Sequence, residues 1–115
     1  MILPSTFTEL IQQADTLKLY KKLIAQLNKD FTLANIPVAL SETLSPIELK
    51  TKVQAKVYQL IQESFSTYLN LLYIIDVSEK KIKKLNGDNF EKLSEEVTFL
   101  ILQREWQKVW LKNKY

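Results

Sequence analysis

The stretch from Ser45 to Asp76 constrains the fold of this chain more than any other part of the sequence. It opens with Ser45-Pro46-Ile47-Glu48, in which Ser45 and Glu48 can form a capping box and proline takes the first helical position. Apolar residues then recur at three- and four-residue steps, uninterrupted by glycine or proline: Leu49, Val53, Val57, Leu60, Tyr68, Leu71 and Ile75. The pattern predicts a single helix of about 45 Å.

The two halves of this predicted helix differ in what must cover them. Residues 46–63 carry lysines and glutamines along one face, so that half needs only one covered side. Residues 65–75 are apolar or aromatic in nearly every direction. Because a helix that is apolar all round is normally buried, we expect the second half to be surrounded by other elements or by another copy of the protein.

Two further long helices are predicted on either side. Thr6 and Glu9 form a second potential capping box, and the apolar pattern after them predicts a helix over 6–29. A similar pattern predicts a helix over 89–113, in which residues 97–102 (VTFLIL) are apolar on nearly every side. We expect 97–102 and 65–75 to pack against each other.

The connections between these helices are less regular. Residues 30–44 contain Pro37 and break the helical pattern, so they fit either an extended segment that covers the bundle or a short helical turn within 31–34. A short helix is predicted over 77–85. Asn86-Gly87 follows it, and Gly87, the only glycine, stands where a left-handed C-cap is expected.

The fold class that follows is all-α. The 115 residues form one domain, a small bundle of three long helices and one short helix, with a long extended connection between the first two long helices. One glycine and three prolines leave little material for the turns of a β-rich fold.

Composition excludes several classes of function. The chain has no cysteine and no histidine, and therefore no disulfide, no thiolate metal site and no ordinary near-neutral pH switch. Glu91, Glu95 and Glu96 suit the positive end of a helix dipole better than a metal, so we predict no metal and no cofactor. The longest run without charge, 64–75, has 12 residues, too few to span a bilayer. A cytoplasmic location and a bacterial origin are expected.

Arg104 is the single arginine, and it follows the apolar VTFLIL segment. The helix pattern places it towards the core, where a guanidinium needs a partner. Glu63 or Asp76 could supply a structural ion pair; the alternative is a receptor for an anion or a carboxylate.

The C-terminus offers a candidate contact surface. Trp106, Val109 and Trp110 share one helix face, and Tyr115 ends the chain. Such residues pack in a core or at a bundle end, or they form a surface that contacts a partner or a second copy, because tryptophan and tyrosine are enriched in interfaces.

Four lysines crowd the short predicted helix, forming a candidate basic patch: Lys80, Lys81, Lys83 and Lys84. A helix C-terminus favours positive charge, so a solvated helix end explains them, and phosphate binding is the alternative. The net charge of +3 is small for a dedicated nucleic-acid binder.

The sequence contains no motif for catalysis or nucleotide binding, and no enzyme activity is predicted. It favours a small non-enzymatic interaction or assembly module that forms a homodimer or binds another protein. Weak nucleic-acid binding through lysines and small-ligand or anion binding around Arg104 are the alternatives.

Overall fold

The computed structural model describes residues 2–85 and 87–114, and every regular element in these ranges is a helix. The six helices are α1 (Phe7–Thr16), α2 (Tyr20–Leu33), α3 (Pro46–Glu63), α4 (Phe65–Ile75), α5 (Glu79–Lys83) and α6 (Phe90–Lys114). The all-α class is as predicted, but the described residues contain six helices where four were expected. None of these helices is long and apolar enough to cross a membrane.

The longest helix, α6, is the element against which the others assemble. It packs on α3 over the largest contact, and also on α1, α2 and α4. Val97, Thr98, Ile101 and Leu102 are all fully or almost fully buried. Phe99 and Leu100 are half-buried, so the VTFLIL segment is covered within the chain on one side, and α3 covers more of α6 than α4 does.

The predicted helix over 6–29 is two helices, because the chain turns at Lys18. Lys18 has φ 58°, in the left-handed region. The N–H of Leu19 donates to the Ala14 carbonyl at 2.8 Å and that of Lys18 to Asp15 at 3.1 Å, which is the pattern of a Schellman motif. The apolar spacing continues through this turn, and lysine is an uncommon residue at such a position, so the sequence pattern missed the break.

The same motif ends two more helices. Asn35 after α2 has φ 59° and Asp76 after α4 has φ 70°. The following residues, Ile36 and Val77, are buried and donate back to carbonyls five positions earlier, at 2.9 and 3.0 Å. Asp76 therefore ends α4, and the short helix predicted over 77–85 is capped by Ser78, whose hydroxyl accepts from the Lys81 N–H.

The predicted helix over Ser45–Asp76 bends at Ser64, which separates α3 from α4 with φ −152° and ψ 73°. Its hydroxyl bonds the Thr67 hydroxyl at 2.7 Å, a local interaction that competes with a continuous helix. A straight helix of about 45 Å would also exceed the longest dimension of the molecule, 36 Å. The capping box between Ser45 and Glu48 is present as predicted.

Residues 34–45 connect α2 to α3, and they return along α2. The Asn28 side chain bonds both the N–H and the carbonyl of Leu40 at 2.8 Å, and the Tyr20 hydroxyl donates to the Leu44 carbonyl at 2.7 Å. Ile36 and Leu40 are buried. This segment carries no helix, while residues 31–33 belong to α2. It brings the start of α3 next to the start of α2.

Gly87 does not have the left-handed conformation that was expected of it, because its φ is not positive. The other half of that expected C-cap, Asn86, lies outside the described residues. A Cβ atom built at Gly87 would instead lie 2.8 Å from the Leu93 Cβ and 2.9 Å from its Cα. The glycine is required because the chain approaches the backbone of α6 closely.

The turn at Lys18 is expected to be strained, because a left-handed conformation costs an L-residue roughly 1–2 kcal/mol and glycine much less. Glycine relieves this strain, but it also gains entropy in the unfolded chain, which offsets part of the benefit. Lys18→Gly should therefore raise the free energy of unfolding by about 0.5–1 kcal/mol. Urea denaturation followed by circular dichroism measures this change. A loss of stability would contradict the conformation described for Lys18.

The close approach at Gly87 predicts the opposite response. Gly87→Ala places a methyl group against the backbone of Leu93, which cannot move away as a flexible side chain would. We expect a loss of about 1–3 kcal/mol in the same denaturation experiment, the range for overpacking. An unchanged or increased stability would show that the close contact does not exist in solution.

Candidate functional site

The exposed face of α4 carries three large apolar or aromatic side chains on one helix. One side of this helix packs into the bundle through Tyr68, Leu71, Leu72 and Ile75. The opposite side presents Phe65, Leu69 and Tyr73, which are 54 %, 50 % and 83 % exposed. These three residues are four apart, so they form one stripe along the helix. We call this stripe the α4 face.

No charged residue lies anywhere on α4. Exposed Ser66 and Asn70 flank the α4 face and are the polar side chains nearest to it in sequence. Scattered exposed apolar residues are normal on proteins, but a contiguous uncharged stripe with two aromatic rings is typical of a binding surface. The segment 65–75, which the sequence predicts to be surrounded, is thus covered on one side only by its own chain.

Two of the C-terminal residues considered for a contact surface, Trp106 and Val109, are buried in the bundle. Trp106 is 0 % exposed and Val109 is 2 % exposed. The Trp106 indole N–H donates to Oε1 of Gln13 at 2.9 Å, so its polar atom is also satisfied inside the bundle. These two residues belong to the core, which is the first of the two alternatives that the sequence left open for this segment, and neither side chain is exposed for contact with a partner.

Trp110 lies at the edge of that core and is half-buried. The Lys114 ammonium sits 4.9 Å from the centre of its ring, and the side chain borders a shallow groove with Ile2 and Leu17 of the N-terminal region. Tyr115, the fourth residue of the predicted surface, lies outside the described residues.

Arg104 forms the ion pair that the sequence analysis considered, with Asp76 as its partner. Its Nη2 lies 3.0 Å from the Asp76 Oδ2, and Nη1 donates to the Gln107 side-chain oxygen at 2.9 Å. The Arg104 side chain is 27 % exposed and that of Asp76 is 77 % exposed. The pair therefore lies at the surface, where it joins the end of α4 to α6.

A cleft of about 330 Å³ adjoins this ion pair, between the α4–α5 turn and α6. Lys81, whose ammonium donates to Gln103 at 3.1 Å, lines it together with Ser78. Neither tyrosine of α4 lines it: Tyr68 lies on the buried side of that helix and Tyr73 belongs to the α4 face. The anion-binding alternative thus has two cations and a cleft, but the Asp76 carboxylate already occupies the guanidinium.

The four lysines of the predicted basic patch are exposed on or directly after α5, a helix of only five residues. Lysines near the C-terminus are engaged elsewhere: Lys108 pairs with Asp30 at 2.8 Å, and Lys112 donates to the Gln26 side chain at 2.7 Å. The lysine clusters that a nucleic-acid surface would use are therefore partly committed to holding α6 on α2.

Those contacts belong to a polar seam that the sequence patterns did not reveal. Asp30 of α2 and Glu105 of α6 are 4 % and 0 % exposed. A charged residue at one position of an amphipathic stripe gives little signal in sequence, and only the packing of α2 on α6 brings the two acids together. This cluster lines none of the cavities described for this structure.

The exposure of the Arg104–Asp76 pair predicts a small energetic contribution. Asp76→Asn keeps the shape of the residue and its tolerance of a left-handed conformation, so it removes only the charge. We expect the free energy of unfolding to fall by less than about 1 kcal/mol, as for other surface ion pairs. Denaturation in low and high salt measures it; a loss well above that range would assign the pair a larger structural role.

Comparison of the chain with protein-family models, with curated proteins and with solved structures gave no match.

Proposed function

We propose that this protein is a non-enzymatic interaction module of the cytoplasm that self-associates through the α4 face. The observation that supports this most directly is the stripe of Phe65, Leu69 and Tyr73, exposed on a helix without a single charge. Water contact with these side chains is unfavourable, and covering them would recover part of the hydrophobic free energy.

A second copy fits this face because the stripe is close to self-complementary. Leu69 lies at its centre, with an aromatic residue four positions before it and another four positions after it. If two α4 helices pack antiparallel about a two-fold axis, Leu69 meets its own copy and Phe65 meets the partner's Tyr73. Aromatic pairs of this kind contribute beyond the area that they bury.

The absence of charge on α4 also favours a copy of the same chain as the partner. When identical faces meet, every charge near the two-fold axis meets a like charge, which opposes association. The α4 face carries none, whereas its flanking Ser66 and Asn70 can donate and accept hydrogen bonds at the rim.

The area of the α4 face limits the strength of the dimer. From the size of these side chains and their exposure, the stripe offers about 400 Å² per copy, or roughly 800 Å² in total. Stable interfaces bury about 1,200–2,000 Å². We therefore expect a reversible dimer with a dissociation constant on the order of micromolar or weaker, which dissociates on dilution.

Leu69→Glu tests the proposal, because it places two carboxylates face to face at the two-fold axis. Sedimentation equilibrium over a range of concentrations should show a monomer–dimer equilibrium for the natural chain and a monomer for this variant. Leu111→Glu is the matched control: Leu111 is 43 % exposed, close to Leu69, but lies near the end of α6. It should leave the equilibrium unchanged.

Two results would overturn the proposal. One is a natural chain that remains monomeric at the highest soluble concentrations. The other is equal loss of association in the Leu69 and Leu111 variants, which would place the contact elsewhere or make it non-specific.

Weak nucleic-acid binding stays the second candidate, supported by the exposure of Lys80, Lys81, Lys83 and Lys84. Such binding must weaken steeply with salt, because it depends on the release of counterions from phosphates.

A further inference from the structure

The contact between α2 and α6 contains two acids with very little room for two negative charges. Asp30 is 4 % exposed, and Glu105 is completely buried. Lys108, one turn after Glu105 on α6, bonds Asp30 at 2.8 Å, so the two carboxyl groups lie on the same side of the α2–α6 contact. Two carboxyl groups can share a hydrogen bond only when one of them carries a proton, because an ionised carboxylate has no hydrogen to donate.

The surrounding donors favour Asp30 as the ionised acid of the two. Oδ2 of Asp30 accepts from the Lys108 ammonium at 2.8 Å and from the Gln26 amide at 3.2 Å. Neither oxygen of Glu105 receives a hydrogen bond from a donor among the described residues. Asp30 thus has the environment of a carboxylate and Glu105 that of a protonated acid that donates to it.

We propose that Asp30 and Glu105 share one proton that locks α6 onto α2, and that loss of this proton at alkaline pH loosens the α2–α6 contact. This contact between α2 and α6 is separate from the α4 face through which we propose that the protein self-associates.

The charges around the pair support this assignment. Burial, together with the hydrogen bond to Asp30 and the charge of Asp30, raises the pKa of Glu105 to about 9; Lys108 and Arg104 act in the opposite direction without offsetting these effects. Burial would raise the pKa of Asp30 too, but hydrogen bonds from Glu105, Lys108 and Gln26 hold it below its usual value.

The other helices packed on α6 bring no further charge into the interior. The buried residues of α1 and α3 are all apolar, and those of α4 are apolar except for Tyr68. Burial raises the pKa of the Tyr68 phenol from its usual 10, which keeps this group neutral where Glu105 titrates.

The sign of the pH dependence follows from the raised pKa of Glu105. The unfolded chain releases the proton near the ordinary value of 4.5, while the folded chain keeps it until about 9. The stabilisation is therefore complete below the unfolded value and is lost as the pH rises towards 9. Within this window the unfolding equilibrium constant should increase by up to about tenfold per pH unit.

The composition makes this effect unusually easy to isolate. The sequence has no histidine and no cysteine, so no side chain with an ordinary pKa titrates between pH 6 and 8. Urea denaturation of the natural chain should show stability falling across this range. Glu105→Gln keeps the shape and a hydrogen-bond donor without a titrating proton, and its stability should be flat there. Glu95→Gln, an exposed position on the same helix, should retain the natural slope.

Carbon-13 NMR of glutamate carboxyl groups in the natural chain tests the proposal without any variant. One glutamate signal should titrate several pH units above the others. The same measurement on Asp30→Asn should show a lower midpoint for that signal, because the asparagine amide donates to an ionised Glu105 and the like charge is gone.

Three outcomes would overturn the proposal. In the first, all glutamates titrate in the ordinary acidic range. In the second, the slope persists in Glu105→Gln. In the third, Asp30→Asn leaves the raised midpoint in place, which would show that burial alone holds the proton.

Discussion

The burial of α6 is the constraint on which the rest of this structure depends. A helix of 25 residues spans about 37 Å, close to the longest dimension of the molecule, so the other helices must lie along it. Helices α1 to α4 all pack against it. The break at Ser64 fits this geometry, because a continuous helix over 46–75 would be about 45 Å long and would extend beyond the surface that α6 offers.

The sequence predicted the parts of this fold that local chemistry determines. The capping box at Ser45, the Thr6 cap and the limits of the last helix are all close to their predicted positions, since each depends on residues within one helical turn. The breaks could not be predicted in the same way. Lys18, Asn35 and Asp76 adopt left-handed conformations in a chain with one glycine. The residues that follow them are apolar, half-buried Leu19 and buried Ile36 and Val77, and they pack against the bundle.

The candidate sites show the same difference between features that local residues determine and features that long-range packing determines. The pattern of 65–75 correctly indicated more apolar surface than a single helix face needs, but only the packing of Tyr68 and Ile75 shows which side stays exposed. Trp106 illustrates the reverse case. Its side-chain type and its place near the C-terminus suit a contact surface, yet it is buried in the core and bonded to Gln13, 93 residues away. The seam between Asp30 and Glu105 had no local signal, because neither acid is unusual until the helices meet.

Two departures from ordinary globular packing remain after the fold is accounted for, and they are opposite in kind. The α4 face exposes apolar and aromatic side chains to water, and the α2–α6 seam buries two acids away from water. Each costs stability, and such costs persist most often where a surface or a group has a further role. Since α2 packs on both α4 and α6, it is the element through which the two departures can influence each other. Thermodynamic linkage then sets the condition: if dimer formation shifts the proton affinity of Glu105, protonation must shift the dimer equilibrium by the same factor.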